Sequence, residues 1–140
     1  MMGMDAIVLS YELILLNSVM IMNRIEKAIL NREKIIIYGD YDVDGITATA
    51  VIFLFLKTIG AEVTYYIPHR IKEGYGLNYK ALEKLLKKKP KVIITVDCGI
   101  SNIDEVERLK EHGIDVIITD HHEIHNKLPL ADAVVNPIQD

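Results

Sequence analysis

Three aspartates at alternate positions, Asp40, Asp42 and Asp44, run into Gly45 within the stretch YGDYDVDGITATA, residues 38–50. Carboxylates this close repel one another and raise one another's pKa unless cations neutralise them, so the spacing points to metal. A calcium EF-hand loop also begins D-x-D-x-D-G, but it needs a helix in front and a bidentate Glu at loop position twelve. Counted from Asp40, that position is Val51, and the residues in front are the β-branched run KIIIY. The calcium-loop reading fails on both counts. In an extended segment residues i and i+2 point the same way, so Asp42 and Asp44 converge on one point, while Asp40 either joins them or turns aside to hold the loop. The competing reading is a solvated acidic turn with an aspartate capping the next helix.

Two further segments carry ligand-type side chains. TVDCGIS places Asp97 before Gly99, with Ser101 or Asn102 available to cap a following helix. TDHHEIH sets Asp120, His121 and His122 in a row, with Glu123 and His125 read as solvent-facing. Each alone is an ordinary turn. Their combination depends on the elements that position them.

Apolar residues recur at helical spacing over residues 11–30, with Leu13, Leu16 and Met20, then Ile25 and Ile29, forming the face that packs on the body. Short β-branched runs at 34–38, 61–67, 91–96, 115–119 and 133–135 read as strands; 46–59, 79–89 and 102–112 read as helices, stopped by Gly60, Pro90 and Gly113. Strands alternating with helices imply right-handed crossovers, hence a doubly wound α/β domain with a mainly parallel sheet of about five strands and helices on both faces. In such a sheet the carboxyl ends of the strands open on one crevice. Three strand ends would deliver Asp42, Asp44, Asp97, Asp120, His121 and His122 there. Carboxylates mixed with imidazoles suit Mn2+ or Mg2+ better than a thiolate-rich zinc site. One ion cannot absorb this much charge; two ions bridged by a carboxylate are the economical arrangement, and two-metal sites hydrolyse phosphoryl or phosphodiester groups.

The loop IPHRIKEGYGLN, residues 67–78, offers Arg70 to fork onto phosphate and Tyr75, flanked by glycines, to stack a base. Read blandly, it is a flexible solvated crossover, and the lysines from Lys80 to Lys91 are a solvated helix face. Cys98 reads as a small hydrophobe under a turn rather than a nucleophile, because no basic partner is aimed at it. With 140 residues, 50% of them hydrophobic, the chain suffices for one domain spanning residues 1–140. A net charge of −4 means that a polyanionic partner must be held by a local patch or by metal. A single cysteine makes no internal disulfide and favours the cytoplasm. The apolar stretch 6–22 is interrupted by Glu12 and Asn17, which favours a buried helix over a membrane anchor.

In this order and at these distances, YGDYDVDGITATA, PHRIKEGYGLN, ITVDCGIS and VIITDHHE resemble the DHH phosphoesterase superfamily, most closely the RecJ-type single-strand-specific exonucleases. The resemblance runs from about Ile25 to the end. It implies two Mn2+ or Mg2+ ions held by Asp42, Asp44, Asp97 and His121, with Asp97 bridging. His122 would contact the scissile phosphate and Asp120 would orient the histidines. The implied reaction releases 5′-mononucleotides from the 5′ end of single-stranded DNA; other branches act on short RNA, small phosphorylated nucleotides or cyclic dinucleotides. Many relatives carry a histidine where this chain has Tyr38, leaving Asp40 or water to substitute. The family's fourth motif and its DHHA1 domain are expected beyond Asp140, so the chain reads as the N-terminal part of a DHH domain.

Overall fold

The computed structural model describes residues 4–124 and 127–138, with side chains from Glu12 onward. Helix α1 (Met4–Leu30) leads into β1 (Ile35–Gly39), α2 (Val43–Thr58), β2 (Val63–Tyr66) and α3 (Tyr79–Lys87). Then follow β3 (Val92–Val96), α4 (Ile103–Glu111), β4 (Asp115–Thr119) and β5 (Ala133–Val135). Every described pairing is parallel, in the order β2-β1-β3-β4-β5. This is the expected doubly wound α/β fold.

Strands β1 and β3 are buried at every position, which is why they read as unbroken apolar runs. Their alternate side chains sort into two cores. Ile36, Tyr38, Ile93, Val116 and Ile118 pack with Leu82 and Leu85 of α3 and Val106 and Leu109 of α4. Ile35, Ile37, Val92, Ile94 and Ile117 pack with Ala28 of α1 and Leu56 of α2. The helices therefore cover the sheet in pairs, α1 and α2 on one face, α3 and α4 on the other. Strand order reverses between β1 and β3, so the loops leaving their carboxyl ends diverge and leave a crevice.

Two boundary expectations change. Helix α1 extends back to Met4, and Leu13, Leu16 and Met20 are exposed; the residues facing the core are Ile21, Ile25 and Ala28, at a spacing of four and three. Asn17 ties this helix to the sheet by accepting the N–H of Val134 at 3.0 Å. Helix α2 begins at Val43, three residues earlier than the apolar pattern suggests, because Asp42 caps it. Among the described residues, no helix is long and apolar enough to cross a membrane.

Candidate metal centre

Asp42 is extended (φ −84°, ψ −179°) and its Oδ1 accepts the N–H of Gly45 at 2.9 Å. That bond holds its carboxyl below the usual range. Gly45 is required here: a Cβ would lie 2.5 Å from the Asp40 carbonyl oxygen and 2.7 Å from the Asp40 nitrogen. The first turn of α2 thus presses against the end of β1. Asp40 is 3% exposed, and its Oδ1 accepts the N–H of Tyr41 at 2.7 Å. Burial, with Asp42 nearby, pushes the Asp40 carboxyl up.

The turn after β3 puts Asp97 at φ +60°, a left-handed conformation that a non-glycine residue adopts at a cost of about 1–3 kcal/mol. Its Oδ1 lies 2.7 Å from His121 Nε2, while its Oδ2 is buried without a hydrogen-bond partner. Burial and Asp42 raise the Asp97 pKa against the pull of His121. Beneath the turn Cys98 is fully buried in the core, and burial pushes its thiol far up, which agrees with a packing role.

After β4, Asp120 organises the loop. Its Oδ2 accepts the N–H of Ile100 at 3.0 Å; its Oδ1 accepts from His121 N at 2.8 Å and His122 N at 3.2 Å and lies 2.6 Å from His122 Nδ1. This bond to Asp120 raises the His122 pKa. One buried carboxylate therefore links the two strand-end turns and orients His122 through its side chain, but His121 only through its backbone.

The three turns converge. Ligand atoms of Asp40, Asp42 and Asp97 lie within 4.8 Å of one another, and so do those of Asp97, His121 and His122. Asp97 belongs to both sets. An exposed Asp44 lines the same cleft of about 390 Å3 with Asp97, Thr119, Asp120 and His121. It does not pair with Asp42 as an extended i, i+2 neighbour, because it sits inside the first turn of α2, where the backbone turns about 100° per residue.

Tyr38 does not face this centre at all. It is fully buried on the α3/α4 side, stacks on Tyr66 with centroids 5.6 Å apart, and donates its hydroxyl to the Gly76 carbonyl at 2.8 Å. Nor does Asn102 cap α4 through its side chain; it clasps the backbone of Leu77, accepting from N at 3.2 Å and donating to O at 2.9 Å. These two residues pin the loop that carries Tyr75, whose hydroxyl lies 3.2 Å from His122 Nδ1. Arg70 rests its guanidinium 5.4 Å from the centre of the Tyr41 ring, beside the Asp40 turn. Glu123 is exposed as expected, and His125 lies outside the described residues. The role of Tyr38 as a loop anchor was missed because a run buried on both faces, IIIY, gives no sign of which face each residue takes.

The DHH family, N-terminal domain, matches residues 34–140. The single-stranded-DNA-specific exonuclease RecJ of Bacillus subtilis (strain 168) is 50% identical over 117 residues, covering 84% of this chain and 15% of that protein. The RecJ of Haemophilus influenzae is 44% identical over 116 residues, covering 82% and 20%. Among solved structures, an exonuclease RecJ bound to manganese matches with a TM-score of 0.78 at 38% identity, over 87% of this chain and 31% of that one. RecJ in complex with Mn2+ from Thermus thermophilus matches with a TM-score of 0.71 at 34% identity, over 87% and 17%. The chain spans less than a third of the length of these relatives.

Proposed function

Because the chain belongs to the DHH family, we propose that its crevice hydrolyses phosphodiester bonds of single-stranded DNA, starting from the 5′ end, with two divalent cations, Mn2+ or Mg2+. The observation that carries this reading is Asp97, shared by two ligand sets and left with a buried Oδ2 that no protein donor satisfies. An orphaned buried carboxylate oxygen costs about 1–3 kcal/mol or more, and a cation removes that cost. The donor set of carboxylates and imidazoles fits Mn2+ or Mg2+.

Asp42, Asp44, Asp97 and His121 would hold the ions with Asp97 between them, and Asp40 supplies the oxygen that Tyr38 cannot. When bound, such a pair lowers the pKa of a water and neutralises the phosphate oxygens. His122, fixed at Nδ1 by Asp120, is left with Nε2 to meet the scissile phosphate. Arg70 forks onto a neighbouring phosphate, and Tyr75 offers its ring to the terminal base. Residues 1–140 would act as the N-terminal part of a DHH catalytic domain. We place the protein in the cytoplasm, a reading supported by its lone buried cysteine.

The test is degradation of 5′-labelled single strands in Mn2+, beside duplex DNA, short RNA, pAp and a cyclic dinucleotide. Release of mononucleotides from the single strand alone is expected. Faster turnover of RNA, pAp or the cyclic dinucleotide would move the protein to another branch of the family. Turnover of nothing, with metal binding intact, would leave a non-catalytic metal- and nucleic-acid-binding module.

A further inference from the structure

Between the 69–73 turn and the exposed face of α3 lies a groove of about 570 Å3, lined by His69, Lys72, Lys80, Lys84 and Lys87 with the carboxylates Glu73 and Glu83. Lys80, Lys84 and Lys87 recur at four and three residues, so they share one helix face, and Lys72 opposes them from the loop.

The groove is built by Glu73, whose side chain is only 8% exposed. Its carboxylate accepts the Tyr66 hydroxyl at 2.5 Å, the His69 N–H at 2.8 Å and the Lys84 ammonium at 2.5 Å. Those bonds outweigh its burial and hold its pKa down to about 2. Glu73 and Lys84 cancel each other and clamp the loop onto α3. Lys72, Lys80 and Lys87 remain, all exposed and none in an ion pair among the described residues, against Glu83 alone. In a chain of net charge −4, this local positive excess has the sign opposite to the mean.

The same loop places Tyr75 against His122 at the rim of the crevice. Tyr75 lies three positions after Lys72, a reach of about 11 Å at most between their Cα atoms. We propose that this groove binds the phosphates of a single-stranded nucleic acid beyond the nucleotide held in the crevice, with Lys72, Lys80 and Lys87 as its contacts. This rests on the functional reading above and adds a path for the rest of the strand. An acidic peptide would match the charge equally well, but the loop that lines the groove through His69, Lys72 and Glu73 also carries Tyr75 to His122 at the crevice, and that shared element favours the strand.

The test is fluorescence anisotropy of a labelled oligothymidylate in EDTA, which makes the readout independent of the metal centre. Lys72→Ala, Lys80→Ala and Lys87→Ala combined should flatten the slope of log K against log salt by about 2, at roughly 0.7 per phosphate contact. The wild type's advantage would then shrink more than tenfold between about 50 and 200 mM salt. A control with Lys27→Ala and Lys57→Ala, on α1 and α2 and outside the groove lining, should keep the wild-type slope. Equal slopes for the wild type and the groove variant, an equal loss in the control, or no binding by the wild type would each overturn the proposal. So would tighter competition by poly-glutamate than by unlabelled oligothymidylate. A failed metal titration with this salt dependence intact would count against the metal centre and not against the groove.

Discussion

At the amino end of β4, Asp115 accepts from Arg24 at 2.6 Å and lies 3.5 Å from Lys110; Lys110 also holds both oxygens of Asp132, at 2.5 and 2.6 Å. Asp132 in turn takes the N–H of Val116 at 2.7 Å. At the carboxyl end of the same sheet, Asp40, Asp42, Asp97 and Asp120 meet, and among the described residues no lysine or arginine forms an ion pair with any of them. Burial acts on carboxyls at both ends. It is outweighed for Asp115, whose pKa is lowered by Arg24, and it prevails for Asp97 and Asp40, whose pKa values are raised. Carboxylates at one end are balanced by the chain's own cations and serve stability. Those at the other end are held together by a left-handed Asp97 and a cap at Asp42, pair only with His121 and His122 among the described residues, and on the proposed reading are balanced by bound cations.

That contrast can be broken by exchanging one carboxylate at a time. The largest effect belongs to Asp97→Asn, which should cut hydrolysis by on the order of 100-fold or more, since even residues one layer behind metal ligands cost about 10–100-fold. In EDTA the same variant should be at least as stable as the wild type, because it removes a buried like charge; a clear loss of stability would assign Asp97 to the paired class. Next comes Asp120→Asn, expected to weaken Mn2+ binding by about 10–100-fold without removing a ligand. Unchanged affinity would show that the histidines do not depend on its clamp.

Asp115→Asn should behave in the reverse way, losing about 1 kcal/mol of stability, since Arg24 keeps Glu33 at 2.7 Å as its other partner, with Mn2+ affinity unaltered. Thermal unfolding beside metal titration separates the two effects. The smallest effect is that of Glu73→Gln. A depressed carboxyl contributes stability above its ordinary value of 4.5 that is lost as pH falls toward about 2. The variant should therefore show a flatter acid limb in that window and match the wild type's slope at neutral pH. An unchanged acid limb would remove Glu73 as the anchor of the loop.

Much of this was legible in the chain. Strand runs such as KVIITV and DVIIT, each followed by a turn with ligand-type residues, gave the sheet, and the sheet's topology gave the crevice. What escaped was orientation. Tyr38 sits at the position where a ligand was expected, yet which face of a doubly buried strand it takes is set by packing against α3 and Tyr66, not by its neighbours in sequence. Asp44 was read as extended because the apolar run starts at Ile46, whereas the cap at Asp42 had already begun the helix. The 67–78 loop reads as flexible from its glycines; Tyr38 and Asn102, distant in sequence, and Lys84, which grips the loop's own Glu73, are what fix it.

The central claim is that Asp97 joins two cation sites, and calorimetric titration with Mn2+ tests it most directly. The wild type should bind two ions; Asp42→Asn and His121→Ala should each weaken one site and spare the other, and Asp97→Asn should weaken both. A single ion in the wild type, or two undiminished sites in Asp97→Asn, would contradict the account.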